Sequence, residues 1–114
     1  MTDTTDLVDA QVAAYADRDL DRFMAFYAPE VKIRAFDGTV LMDGPESMRD
    51  SYGQLFRDSP NLKVAITQRI AIGEFVVDEE EIDGFTLPGF PTQMRAVVVY
   101  RVSGGKIQEV VLLN

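Results

Sequence analysis

The chain has 114 residues, of which 46% are apolar, and carries a net charge of −8; its length suits one domain over residues 1–114, and its apolar content excludes a disordered chain. It contains no cysteine and no histidine, which excludes disulfides, thiolate nucleophiles, histidine-dependent triads and Cys- or His-ligated metals. Any acid–base chemistry must therefore come from Asp, Glu, Tyr, Lys or Arg.

Charge and hydropathy also limit the partners and the location. An acidic chain repels phosphate backbones, so we expect no nucleic-acid partner. No apolar run approaches the roughly 20 residues of a membrane span, so we expect no membrane partner. The N-terminus is acidic and polar, unlike a secretory signal, which favours a cytoplasmic location. We expect no cofactor and no metal, because there is no glycine-rich phosphate loop and no metal-ligating constellation.

Helical periodicity begins near the N-terminus. Thr4 or Thr5 can cap a first helix. Asp19 can cap a second helix, which Pro29 would end. Apolar side chains recur at helical spacing in both: Leu7, Val8, Val12 and Tyr15 in the first, and Leu20, Phe23, Met24 and Tyr27 in the second.

A short strand pair and a third helix follow. Residues 31–36 and 40–42 are strand-like, and Asp37-Gly38 is a turn signal between them. Gly44-Pro45 places a proline at the first position of the third helix, which Ser59-Pro60 closes. Its apolar stripe comprises Met48, Tyr52, Leu55 and Phe56.

The second half of the chain changes to a period of two, which indicates strands. One face of residues 62–72 is predicted to be apolar, and Lys63, Thr67 and Arg69 lie on the other face. Such alternation is typical of a half-buried antiparallel sheet. Further strands are predicted over residues 75–83, 94–102 and 107–113, with a hairpin turn at Gly104-Gly105. Three helices can cover one face of a bent sheet, which would form a cone with a pocket at its open end.

Four local sequences mark the junctions of these elements, namely residues 15–21 (YADRDLD), 26–31 (FYAPEV), 44–49 (GPESMR) and 100–107 (YRVSGGKI). With the element order, they resemble the nuclear transport factor two-like superfamily, which includes ketosteroid isomerases and SnoaL-like polyketide cyclases. The resemblance covers nearly the whole chain. It implies an α+β fold in which three N-terminal helices pack on a strongly curved antiparallel sheet, a cone-shaped, cystatin-like roll. Members include isomerases, dehydratases, epoxide hydrolases and non-catalytic modules, so the resemblance implies a fold rather than a reaction.

The resemblance also allows the isomerase residues to be checked by position. In the ketosteroid isomerases these residues are an oxyanion-donor tyrosine, an aspartate base and a protonated aspartic acid. The resemblance matches them to Gln11, Ala35 and Val98 of this chain. Ala35 cannot act as a base and Val98 cannot donate, although Gln11 can still donate a hydrogen bond. A true ketosteroid isomerase mechanism is therefore not expected, and a mechanism that depends on histidines, as in scytalone dehydratase, is excluded.

The run Asp78-Glu79-Glu80-Glu81 lies inside a predicted strand, although acidic residues are poor strand formers. Alternation with Val76 and Ile82 places Asp78 and Glu80 inside, whereas alignment to the isomerases favours Glu79 and Glu81. An inward pair of carboxyl groups can serve as acid and base, because burial raises a carboxyl pKa. The alternative is a strand end with solvated acids.

Three further polar residues have two interpretations each. Arg95 can be the inward partner of Asp78 or Glu80, an arrangement similar to the triad of limonene epoxide hydrolases, or part of a surface ion pair. Asp37 can be a displaced base at the cone mouth or an ordinary turn residue. Gln68 interrupts an apolar face, so it either lines the pocket or satisfies a bulge.

The candidate catalytic residues are thus Asp78, Glu80, Arg95 and Asp37. The candidate ligand-pocket residues are Gln11, Tyr15, Tyr52, Phe56, Gln68, Val98 and Tyr100.

The loop over residues 84–92 holds Phe85, Leu87 and Phe90 among glycines and prolines, so it is a lid, a subunit contact or part of the core. The strand over residues 94–102 is apolar on both faces, which favours a homodimer through the sheet.

Two classes of function remain. The first is a cofactor-independent isomerase, cyclase or hydrolase that acts on a small hydrophobic molecule, an apolar carbonyl-type or epoxide metabolite, by carboxylate acid–base chemistry. The alternative is a non-catalytic hydrophobic-ligand-binding or dimerisation module.

Overall fold

The computed structural model describes residues 4–86 and 88–113. Leu87, one of the three apolar loop residues, lies outside the described residues. The elements in chain order are α1 (Thr4–Ala16), α2 (Leu20–Met24), β1 (Tyr27–Ala35), β2 (Val40–Asp43), α3 (Gly44–Asp58), β3 (Lys63–Ile72), β4 (Phe75–Asp83), β5 (Met94–Ser103) and β6 (Lys106–Leu113). The predicted order of three helices and six strands is confirmed.

The second helix is shorter than its periodicity predicts. Asp19 caps it as expected, since its side chain accepts a hydrogen bond from the Arg22 N–H at 3.2 Å. The helix ends at Met24, however, and Tyr27 already begins β1. The Phe26 carbonyl accepts from the Ile107 N–H at 2.8 Å, so pairing with a distant strand replaces the next helical turn.

The sheet is mixed and open. Its strand order is β2-β1-β6-β5-β4-β3. Four of its pairings are antiparallel as predicted, but β1 pairs with β6 in parallel. These two strands are joined through the rest of the chain rather than by a hairpin, so no tight turn forces them to be antiparallel.

The helices cover one face of this sheet and form a single core with it. The buried side chains include Val8 of α1, Phe23 of α2 and Met48 of α3. They meet Ile33 of β1 and Ile107 of β6, which are also fully buried. Burial of one apolar stripe per helix against one sheet face is what stabilises this layered fold.

A bulge in β3 reverses its faces. Ile66 pairs with Glu80 but Gln68 pairs with Glu79, so Thr67 is an extra residue in this strand. Because side chains alternate with a period of two, one extra residue exchanges the two faces beyond it. The predicted single apolar face is therefore wrong after residue 67: Ile70 is 66% exposed, as the exchange requires.

Candidate functional site

A cavity of about 450 Å³ lies between the concave face of the sheet and the helices. Five of the predicted pocket residues line it, namely Gln11, Tyr15, Tyr52, Val98 and Tyr100. The prediction is wrong for Phe56, which is buried behind the wall, where its ring contacts those of Tyr15 and Tyr52 at centroid distances of 5.4 and 6.1 Å. Ala35, the position that corresponds to the isomerase base, also lines the cavity.

The acidic run of β4 divides between the two faces as its alternation predicts. Asp78 is fully buried and Glu80 is 7% exposed. Glu79 and Glu81 lie on the outer face, where their side chains are 23% and 55% exposed. Of the inward pair, Glu80 lines the cavity, whereas Asp78 lies outside the lining.

Glu80 is the end of a buried hydrogen-bond chain. The Tyr100 hydroxyl donates to Glu80 Oε2 at 3.0 Å and accepts from Gln11 Nε2 at 3.1 Å. The Tyr27 hydroxyl donates to Gln11 Oε1 at 2.7 Å. Gln11, which the resemblance matches to the oxyanion donor of the isomerases, is thus engaged in supporting Tyr100. Each donor in this chain points toward the carboxyl group, so the chain orients Glu80.

Burial raises the pKa of the Glu80 carboxyl to about 7. The hydrogen bond from Tyr100 lowers it, the negative charge of Asp78 raises it, and the Arg69 guanidinium lowers it. A carboxyl group with this pKa is present in both protonation states near neutral pH, which suits it to accept or to donate a proton.

Two tyrosine hydroxyls of the cavity wall remain available to a ligand. Tyr15 of α1 and Tyr52 of α3 line the cavity, and neither hydroxyl makes a side-chain hydrogen bond with a described residue. Burial raises both pKa values well above that of an ordinary tyrosine, so both phenols stay protonated near neutral pH. They can therefore donate to a ligand oxygen.

Asp78 is paired with Arg69, which regular alternation along β3 assigns to the opposite face of the sheet. Arg69 Nε lies 2.6 Å from Asp78 Oδ1 and Nη2 lies 2.9 Å from Oδ2, a bidentate pair. Arg69 Nη1 also contacts Asp9 Oδ1 of α1 at 2.6 Å. The cluster therefore ties α1 to β3 and β4. The signal in the sequence was Gln68, whose polarity marks the bulge that turns Arg69 inward.

Arg95, by contrast, does not face the interior. Its side chain is 66% exposed and contacts Glu79 at 2.8 Å and Glu81 at 4.0 Å. In the register of β4 and β5 it lies opposite Glu81, and directly opposed residues share a face. The predicted inward pairing of Arg95 with Asp78 or Glu80 is therefore wrong, and the surface ion pair is the correct interpretation.

Asp37 and Gln68 also lie outside the cavity lining. Asp37 is exposed, and its carboxylate accepts from the Thr39 N–H at 3.0 Å, a bond that lowers its pKa. It is a turn residue rather than a displaced base at the mouth. Gln68 is exposed at the bulge, where Nε2 donates to Glu79 at 3.3 Å.

The described part of the loop forms one wall of the cavity. Phe85 is buried and Phe90 is 54% exposed, and their ring centroids lie 5.8 Å apart. Both rings line the cavity. The sequence alone leaves a lid, a subunit contact and the core open for these rings, because a loop has no periodicity that indicates where its side chains point.

Comparison with known proteins identifies the family. The family model of the SnoaL-like domain matches residues 8–110. The chain belongs to the SnoaL-like domain family. No curated protein matches it in sequence. No described helix is long and apolar enough to cross a membrane, and the described residues contain no group of three or more acidic side chains able to hold a metal ion.

Solved structures share the whole SnoaL-like fold at low sequence identity. An uncharacterised cystatin-fold protein from Novosphingobium aromaticivorans is 22% identical over 100% of both chains, with a TM-score of 0.89. A candidate polyketide cyclase from Sinorhizobium meliloti is 12% identical over 97% of this chain and 99% of its own, with a TM-score of 0.77. A hypothetical protein with a ketosteroid isomerase-like fold from Catenulispora acidiphila, in complex with trimethylamine, is 20% identical over 98% of this chain and 87% of its own, with a TM-score of 0.75. At these identities the likeness establishes the fold alone.

Proposed function

We propose that this SnoaL-like protein is a cofactor-independent enzyme that acts on a small apolar carbonyl-type or epoxide metabolite, with Glu80 as its acid–base residue. One observation carries the proposal: Glu80 is the only charged side chain among the described residues that line the cavity. A cavity of about 450 Å³ lies within the usual range for small-molecule sites. Of the solved structures that share this fold, one is described as a candidate polyketide cyclase and another is in complex with trimethylamine, which supports a small-molecule role for the fold.

The chemistry that fits this geometry is proton transfer next to a carbonyl group. The Glu80 carboxylate takes a proton from the carbon beside the carbonyl, and the hydroxyl of Tyr15 or Tyr52 donates to the oxygen as negative charge develops there. In a substrate with a carbon–carbon double bond next to that carbon, Glu80 returns the proton at the far carbon of the dienolate, which moves the double bond and completes an isomerisation. The apolar walls exclude water, which strengthens both interactions.

The test is a ligand screen followed by turnover assays. Thermal shifts with lipophilic ketones, lactones, epoxides and steroids would name the ligand class, since a ligand at about 100 times its Kd adds roughly 2.7 kcal/mol. Glu80→Gln should then abolish turnover while ligand binding survives. Glu81→Gln, at the next position on the outer face, is the matched control and should keep full activity. Turnover that persists in the Glu80 variant would refute the proposed role.

A non-catalytic binding protein is the second candidate. The observation that favours it is the loss of acidic groups at Ala35 and Val98, two isomerase positions that both line the cavity. This candidate predicts ligands that bind the wild type and the Glu80→Gln variant without conversion in either. Product formation by the wild type would exclude it.

The outer face of the sheet supports a homodimer as a further proposal. Ile70, Val77, Val99 and Val111 are successive register partners across β3, β4, β5 and β6, and form an apolar row. β-branched side chains on the face away from the helices are best buried by a second copy, because a twofold interface needs only one self-complementary surface. Sedimentation at micromolar concentration should show a dimer that Val99→Lys dissociates, whereas Asp50→Lys on α3 leaves it intact. A wild-type monomer would overturn this proposal.

A further inference from the structure

Glu80 has no cationic partner among the described residues that line the cavity. Only its Oε2 atom is engaged by a described residue, the Tyr100 hydroxyl at 3.0 Å. No lysine or arginine is among the described lining residues, and the nearby Arg69 is taken by Asp78 and Asp9. A buried carboxylate without a counter-ion is costly, so a bound cation would stabilise ionised Glu80, for which the described residues supply no counter-ion.

The remaining wall suits an organic cation. Seven aromatic side chains of the described residues line the cavity: Tyr15, Phe23, Tyr27, Tyr52, Phe85, Phe90 and Tyr100. The faces of aromatic rings attract ammonium groups, most strongly where water is excluded. The ring centroids of Phe23 and Tyr52 are 4.8 Å apart, and that of Tyr15 lies 5.9 Å from Phe23 and 6.1 Å from Tyr52, so three aromatic rings adjoin on the helix side of the cavity. The net charge of −8 also raises the local concentration of cations over anions.

We propose that the cavity binds lipophilic amines in their ammonium form, with the Glu80 carboxylate as the counter-ion and the aromatic wall around the ammonium group. This binding activity uses the site of the proposed function but does not depend on catalysis there. An inorganic cation would gain little from the apolar wall, whereas an amine with a hydrophobic body matches both the carboxylate and the rings.

The pH dependence of binding separates an amine from a neutral ligand. The charged and titratable groups around Glu80 are Asp78 on its own strand, Arg69 on β3, Tyr15 on α1, Tyr52 on α3, Tyr27 on β1 and Tyr100 on β5. The four phenols stay protonated, because burial raises their pKa values, and Arg69 stays charged and paired with Asp78. Near neutral pH, Glu80 is therefore the group whose ionisation controls ligand binding.

An amine requires the ionised form of Glu80, so its affinity should rise with pH through about 7, the pKa of this carboxyl. With that pKa, the ionised fraction changes about tenfold between pH 6 and pH 8, while an aliphatic amine stays protonated throughout. A neutral ketone supplies no counter-ion, and its binding removes water from ionised Glu80, so its affinity should fall over the same range. The affinities of the two ligand classes should thus change with pH in opposite directions.

The experiment uses two probes with one carbon skeleton, 4-phenylcyclohexylamine and 4-phenylcyclohexanone, titrated calorimetrically into the whole protein at pH 6 and pH 8. We expect the amine to bind about tenfold more tightly at pH 8 than at pH 6. Glu80→Gln should remove this pH dependence and weaken amine binding at pH 8 by tenfold or more. Glu81→Gln should match the wild type. Circular dichroism of each variant checks that the fold is retained.

The outcomes separate this inference from the proposed function. If the ketone binds and the amine does not, or if the amine binds equally to the wild type and to Glu80→Gln at pH 8, the inference is overturned while the proposed function stands. If the amine binds with the expected pH dependence and no neutral ligand binds or turns over, the inference stands and the proposed function fails. If neither probe binds at either pH, the inference is overturned.

Discussion

Replacing Glu80 by glutamine should stabilise this protein above neutral pH, although the residue lies at the centre of its cavity. The pKa of this carboxyl is raised from 4.5 to about 7 in the folded chain. Each pH unit between the folded and unfolded pKa values corresponds to about 1.4 kcal/mol, so ionising buried Glu80 costs the folded state about 3 kcal/mol. Glutamine keeps the shape of the side chain and an oxygen that accepts the Tyr100 hydroxyl, but it never ionises.

The sign of the pH dependence follows from proton binding. Between pH 4.5 and 7 the folded chain holds a proton on Glu80 that the unfolded chain has lost. The contribution of Glu80 to the free energy of unfolding therefore falls as pH rises through this range and is constant above about pH 8. The free energy of unfolding of Glu80→Gln minus that of the wild type should grow by about 3 kcal/mol from pH 4.5 to pH 8. For a domain of this size, the Tm of the variant relative to the wild type should rise by roughly 10 °C or more over the same range.

The assay is urea denaturation followed by far-UV circular dichroism at fixed protein concentration, at pH 5, 6, 7 and 8. Glu81→Gln is the matched control, because the Glu81 side chain is 55% exposed. Its free energy of unfolding should change with pH as that of the wild type does. If the free energies of unfolding of the wild type and Glu80→Gln change equally with pH over this range, the Glu80 carboxyl does not have a raised pKa. The argument for acid–base chemistry at Glu80 then fails as well. The expected gain in stability would mean that the site holds a destabilising group for its function.

Four further single substitutions test the residues around the site by urea denaturation at pH 7. Asp78→Asn should cost about 1.5–3 kcal/mol, because it weakens two charge-assisted hydrogen bonds to Arg69, which keeps Asp9 as a partner; replacing Asp78 and Arg69 by apolar residues should recover most of that loss, and no recovery would contradict the ion-pair account. Gln11→Met should cost about 1–3 kcal/mol, because two buried hydroxyls lose their partner; unchanged stability would refute the hydrogen-bond chain. Gly84→Ala should cost about 3 kcal/mol or more, because its φ is +74° and an added Cβ would overlap a backbone carbonyl oxygen. Gly89→Ala, at φ +83° with open space around it, should cost only about 1 kcal/mol, so equal losses at the two glycines would count against the overlap.

Local signals were sufficient for most of the elements. The capping aspartate of α2, the Gly44-Pro45 start of α3 and the bounds of β4 agree with the sequence prediction, because each depends on residues that are neighbours in the chain. The inward placement of Asp78 and Glu80 follows from alternation alone, because β4 has no bulge in its described pairings. The composition, with neither histidine nor cysteine, already limited any chemistry to groups such as a carboxyl.

The partners of these residues, in contrast, were decided by the tertiary structure. The bulge at Thr67 moves Arg69 to the inner face, and the register of β4 and β5 sends Arg95 outward, so the two arginines exchange the positions that a regular alternation predicts. Tyr27 enters the hydrogen-bond chain only because β1 pairs with β6 in parallel, which ends α2 early. Bulges and strand register depend on contacts between residues far apart in the chain, which a local period cannot encode. Alternation in the sequence thus indicated an inward pair of carboxyl groups, and only the folded chain decided that Glu80 would be the one in the cavity, held by Tyr100 and with no cation among the described residues that line it.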